Sequence, residues 1–196
     1  MFGRKAVENP QEFSVDSSIE ESFNKGKTLS PDEFARFYDS YYPRLYRYFS
    51  YRTATREEAE DLVEAVFERI INKFHTFDSK RGSLDAWVFT IARHILANRH
   101  RYQSRHPELP LEYGLAIEIG SGLSELVVEQ EEIQRLRRYL GRLNEREKEL
   151  LALRYGAELP HRRIGELLGM SEGNVTVSLG RAVRKLRGFF EAEENE

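Results

Sequence analysis

The chain has 196 residues, of which 40% are hydrophobic and 32% charged, with a net charge of −3. There is no cysteine, which excludes disulfides, thiolate metal sites and cysteine nucleophiles. No apolar run approaches the roughly 20 residues of a membrane span, and MFGRKAVENP lacks the apolar core of a secretory signal, so neither membrane insertion nor export is expected and the location read here is the cytoplasm.

In chain order, residues 1–29 read as a polar, loosely ordered extension. A helix starts at SPDEF, with Ser30 as N-cap, Pro31 in the first turn and Glu33 completing a capping box. Phe34, Phe37, Tyr38, Tyr41, Leu45 and Tyr48 follow at helical spacing. Thr55 and Glu58 make a second box ahead of an apolar stripe through Ala59, Leu62, Val63, Val66, Phe67, Ile70 and Phe74. HTFDSKRGS is a turn, and Ser83 caps a helix predicted to run to about Gln103. Residues 30–105 therefore form one small helical domain. Residues 106–125 form a linker containing Pro and Gly, and a new helical pattern begins near Leu123 and continues through Leu126, Val127, Ile133, Leu136 and Leu140. Within a second domain, 126–190, helices are expected over 144–155, 161–168 and 171–190, with LLGMS as a tight turn and 191–196 as an acidic tail. Strand signals are nearly absent, so the fold class is all-α, two small helical domains on a flexible linker.

Charge is patterned along this layout. Residues 86–107 carry four arginines, three histidines and no acid, and 142–187 carry ten Arg or Lys against six Glu. Between them, 108–132 holds seven glutamates and no Arg or Lys. Two basic domains with an acidic connector suit nucleic acid better than the net charge suggests.

The short helix, glycine-bearing turn and longer basic helix near the C-terminus make a helix-turn-helix pattern. Ile164, Leu167, Leu168, Val175, Leu179, Val183 and Leu186 would form its core, and Gly165 would allow close approach of two helices. The second helix would enter a major groove with Ser171, Glu172, Gly173, Asn174, Thr176 and Ser178, while Arg181, Arg184, Lys185 and Arg187 offer phosphate contacts. The alternative is a helical bundle with a solvated basic face.

Two long stretches add a stronger signal. AEDLVEAVFERIINKFHTFDSKRGSLDAWVFTIARHILANRHR resembles region 2 of bacterial sigma-70 family sigma factors, and LNEREKELLALRYGAELPHRRIGELLGMSEGNVTVSLGRAVRKLR resembles their region 4. Their order, with no region 3 between them, resembles the extracytoplasmic-function (ECF) group. The resemblance covers about residues 30–190. It implies a dissociable specificity subunit that binds core RNA polymerase through the β′ coiled coil and the β flap. It also implies that region 2 captures non-template bases of a single-stranded −10 element, and that region 4 reads the −35 element as duplex promoter DNA. An anti-sigma factor covering these surfaces is a family-based expectation.

On this resemblance, Glu60, Asp61, Glu64, Phe67 and Glu68 are the candidates for polymerase docking. Leu84, Trp87, Val88, Ile91, Ile95 and Leu96 would pack their helix inward, leaving Phe89, Arg93, His94, Ala97, Asn98 and Arg101 for −10 DNA. The turn FDSKRGS, with His94 and Asn98, is the expected base pocket. The chain departs from the family at Asn98, where Asp is frequent, at His94, where Asn is common, and at neutral Thr176 and Ser178, where Lys or Arg are common. Arg162 and Arg163 replace an acidic pair and would restore part of that charge at the −35 face. No catalytic residues, metal ligands or cofactor motif stand out, so the protein is not expected to be an enzyme. Two alternatives remain at this point: a stand-alone helix-turn-helix regulator, and a degenerate sigma-like protein with weak −35 binding.

Overall fold

The computed structural model describes residues 17–26, 29–105, 135–136 and 138–193. Among these, regular structure is helical and no strand occurs, as the all-α reading expects. The elements are α1 (Ser17–Asn24), α2 (Pro31–Ser50), α3 (Arg56–Lys73), α4 (Leu84–Arg105), α5 (Glu145–Leu151), α6 (His161–Leu168) and α7 (Glu172–Glu193). A 3-10 turn, Phe74–Thr76, follows α3, and a wide π-helical turn, Ala152–Gly156, follows α5. The expected linker, and most of the pattern starting near Leu123, lie outside the described residues. Residues 135, 136 and 138–140 are helical.

The local signals that start these helices are visible as hydrogen bonds. Glu33 N donates to Ser30 Oγ at 3.3 Å, and Ser30 N donates to the Glu33 carboxylate at 2.8 Å. Glu58 N donates to Thr55 Oγ1 at 3.1 Å, but the Glu58 carboxylate accepts from Ala54 N rather than from the cap residue, so that box is only half closed. Ser83 and Ser171 cap α4 and α7 through Ala86 N and Asn174 N. Such caps satisfy otherwise orphaned amides, each contributing about 1 kcal/mol.

In the N-terminal domain, α2, α3 and α4 enclose Phe37, Tyr41, Leu45, Val63, Val66, Ile70, Val88 and Phe89. The segment expected to be loosely ordered departs from that reading: Ser17–Asn24 is a helix, with Ile19 and Phe23 buried. The Phe23 ring packs against Phe37, Phe77 and Trp87. Two apolar residues four apart give this helix one narrow stripe, enough to close the open end of the core beside Trp87.

In the C-terminal domain, α5, α6 and α7 pack around Leu150, Leu151, Ile164, Val175 and Leu179. Gly165 has the role expected of it: a Cβ there would lie 2.5 Å from Met170 O. Gly169 ends α6 in the left-handed region at φ 64°. α7 continues into the sequence read as an acidic tail, where Glu193 pairs with Arg135 and accepts from Tyr139.

The two domains pack directly on each other. Gly156 sits against α2 so closely that a Cβ would lie 2.8 Å from Tyr48 N. Arg44, 1% exposed, bridges the halves: its Nη1 donates to Asp85 at 2.8 Å and its Nε donates to Ala157 O at 2.9 Å. The guanidinium lies about equally far from the Tyr41 and Phe89 rings, 5.2 and 5.3 Å. Arg47 adds bonds to Gly156 O and to the Glu158 carboxylate.

Candidate nucleic-acid interface

α4 divides into two halves, as its sequence suggests. Leu84, Val88, Phe89, Ala92 and Leu96 are buried, with Trp87, Ile91 and Ile95 partly so. Phe89 is a correction: assigned to the DNA side, it is fully buried against Tyr48 and Arg44. It lies between Val88 and Ala92 on the stripe that faces the core, so no base can reach it. His94, Ala97, Asn98 and Arg101 are exposed. Arg93 is half-exposed but engaged: Nε donates to Glu149 at 2.8 Å and Nη1 to Leu167 O at 2.9 Å, both in the C-terminal domain.

The rear of α4 carries a shallow cavity of about 350 Å³ lined by Asn98, Arg101, Tyr102 and Arg105. Arg101 donates to the Asn98 side chain, which orients its amide. A guanidinium pair with an exposed tyrosine supplies charge for phosphates and a ring for base stacking. Tyr102 and Arg105 were missed as candidates, although the acid-free run extends past both.

The base pocket is not assembled as expected. Lys80 N donates to the Asp78 side chain and Ser79 N to Asn24 Oδ1 of α1, which fixes the turn at the front of α4. Asn98 lies fourteen residues beyond Leu84 on one continuous helix, about 21 Å at 1.5 Å per residue. The turn and Asn98 therefore cannot line one base-sized pocket.

On the helix-turn-helix, Ser171, Glu172, Gly173, Asn174, Thr176, Arg181, Arg184 and Lys185 are exposed and Ser178 is partly so. Several are already engaged. Thr176 Oγ1 donates to Glu172 O at 3.0 Å and lies 2.9 Å from His161 Nδ1. Burial, then Arg154, holds that imidazole below its ordinary pKa and so favours the neutral ring. Lys185 pairs with Glu147 of α5 at 3.0 Å. Arg163 and Arg162 both approach Glu166, at 3.0 and 3.9 Å. The charge these two arginines bring to α6 is therefore partly offset locally.

On α3, Asp61, Glu64 and Glu68 form an exposed acidic row, joined by Glu57 at the same helical phase. Glu60 is half-buried and pairs with Arg56 at 2.8 Å. Phe67 is the second correction: it is 5% exposed and packs on Phe37 and Tyr38, so it supports the acidic row from beneath and cannot itself meet a partner.

Among the described residues no helix is long and apolar enough to cross a membrane. Residues 37–106 match the family described as Sigma-70 region 2, and residues 139–188 match Sigma-70, region 4. The ECF RNA polymerase sigma factor BldN of Streptomyces coelicolor is 29% identical over 90% of this chain and 67% of its own length. The RNA polymerase sigma factor YlaC of Bacillus subtilis is 28% identical over 80% of this chain and 91% of its own. The sigma factor RpoE of Bartonella quintana, solved in complex with the anti-sigma factor NepR, has a similar fold. Its TM-score is 0.65 at 20% identity, covering 82% of this chain and 98% of that one.

Proposed function

Because the chain belongs to the sigma-70 family, we propose that it is a member of the ECF group, like the BldN it resembles, and that it directs initiation through separate faces for DNA and for polymerase. As an ECF sigma factor it binds core RNA polymerase, recognises −10 and −35 promoter elements, opens the −10 region and directs DNA-templated initiation. The rear of α4, with His94, Ala97, Asn98, Arg101, Tyr102 and Arg105, holds the non-template single strand. The front of α7, from Ser171 to Ser178, reads the −35 duplex, with Arg181, Arg184 and Lys185 on phosphates. The acidic row Asp61, Glu64 and Glu68 docks on the β′ coiled coil, and the C-terminal domain sits on the β flap. Bond making belongs to the polymerase. This chain binds, orients and melts, in the cytoplasm. A partner of the anti-sigma kind, as in the RpoE–NepR complex, would cover these faces.

The observation that carries this reading is the exposed, cationic and aromatic rear of α4 on the same chain as an exposed helix-turn-helix. A stand-alone regulator needs only the second. Neutral Thr176 and Ser178, with Thr176 and Lys185 already engaged in internal bonds, favour weak −35 binding, which keeps the degenerate reading distinct. The test is to mix the protein with bacterial core polymerase and select from a randomised promoter library by transcription in vitro. Discrete starts with enriched −10 and −35 sequences are expected. Co-migration with core without transcripts would favour the degenerate protein, and no binding to core would favour the stand-alone regulator.

A further inference from the structure

Where the domains meet, one carboxylate is gripped by donors from the opposite domain. Glu149 of α5 accepts from Arg93 Nε at 2.8 Å, from Tyr48 Oη at 3.2 Å and from Arg52 Nη1. Arg52 also reaches the outlying Glu145 carboxylate through Nη2 at 3.0 Å. The cluster is largely shielded, with side-chain exposures of 7% for Arg52, 14% for Glu149 and 33% for Arg93. Arg52 Nε is buried without an acceptor. Burial first, and the Glu149 charge after it, push the Tyr48 phenol up, so it stays a protonated donor.

Two guanidiniums and a phenol converging on one oxyanion are suited to a phosphate diester, which has the same charge as a carboxylate and more acceptor oxygens. The cluster is continuous with the proposed DNA face: Arg93, Ala97 and Arg101 succeed one another at four-residue spacing along α4. The closed packing also cannot persist on a promoter. Elements about 25 base pairs apart lie roughly 80 Å apart along B-DNA. A compact chain of this length is only about 40 Å across. Reading both elements therefore separates the domains, withdraws Glu149 and frees Arg52 and Arg93 for another anion.

We propose that Tyr48, Arg52 and Arg93 form a binding site for a backbone phosphate of single-stranded DNA, and that Glu149 occupies it as an internal substitute while the domains are closed. The site rests on the reading of α4 as the single-strand face. It adds Tyr48 and Arg52, from α2 and the turn after it, to that face, and it couples strand capture to domain opening.

The test uses the full chain without polymerase and a fluorescein-labelled oligothymidylate, read by anisotropy. Glu149→Gln keeps the shape of the residue and removes its charge. It is expected to tighten oligonucleotide binding about tenfold and to steepen its salt dependence by about one phosphate contact. Adding Arg52→Ala to Glu149→Gln should abolish that gain. The chain has no cysteine, so dyes can be placed at Lys73→Cys and Gly188→Cys, both exposed. Oligonucleotide added to the otherwise native protein should lengthen the distance between them. Equal affinity of the native and Glu149→Gln proteins, both folded by circular dichroism, overturns the proposal, as does a gain that survives Arg52→Ala. A protein that transcribes with core polymerase but shows no gain loses only this site. A gain without transcription leaves the site standing and removes the initiation role.

Discussion

α4 and α7 are both 22 residues long and both carry several arginines, yet they offer those charges very differently. α4 sinks its front half into the core and, in the closed packing, hands Arg93 to the opposite domain, which leaves its rear exposed. α7 buries a thin stripe of Val175, Leu179 and Ala182 and exposes most of its length. A cation in a sequence is therefore not yet a cation at a surface. Which carboxylate folds back onto it decides, as Glu149 does for Arg93 and Glu147 for Lys185.

The largest expected effect lies in the buried front of this contrast. Arg44→Leu takes the Arg44 cation from shielded Asp85, leaving it the Tyr41 hydroxyl, and removes the bond to Ala157 O, so chemical denaturation should show a loss of about 3 kcal/mol or more. Arg181→Ala, on exposed α7, should change stability by less than about 0.5 kcal/mol while weakening duplex binding. Similar losses for the two would break the comparison. Gly156→Ala comes next. Its Cβ would overlap the α2 backbone at Tyr48, at a cost of about 1–3 kcal/mol. Small-angle scattering should show a larger radius of gyration with helical content retained.

The DNA faces give smaller, more specific effects. Asn98→Asp changes a hydrogen-bonding side chain at the rear cavity and should shift base preference within the −10 element, by about 1–3 kcal/mol at the affected base, read from library selections. Thr176→Lys should add one phosphate contact and steepen the salt dependence of −35 duplex binding by about one unit. An unchanged slope would mean that position 176 faces away from the duplex.

Much of the fold was legible because its signals are local. Ser30 with Glu33, Ser83, Ser171 and Gly165 all act where their spacing puts them. α1 was missed because only Ile19 and Phe23 mark it, and its helix is held by rings from three other elements. Phe89 was misassigned although its phase was readable, since 85, 89, 92 and 96 follow one helical face. The domain interface had no sequence signal. Arg44 and Ala157 are 113 residues apart, and nothing periodic announces that Gly156 must lack a side chain or that Glu149 will meet Arg52 and Arg93. The exposed residues of the proposed DNA faces were read from helix-turn-helix spacing, charge pattern and family resemblance, whereas their partners Glu147, Glu149 and Glu166 emerge only from packing.

The central claim is that one chain uses the rear of α4 and the front of α7 on a single promoter, together with polymerase. The direct measurement is a footprint of the reconstituted holoenzyme on a selected promoter, with permanganate to mark unpaired thymines. The account predicts a protected −35 duplex and reactive thymines near −10, both lost when core polymerase is omitted. A single protected duplex patch, unchanged without core and with no reactive thymines, would contradict it.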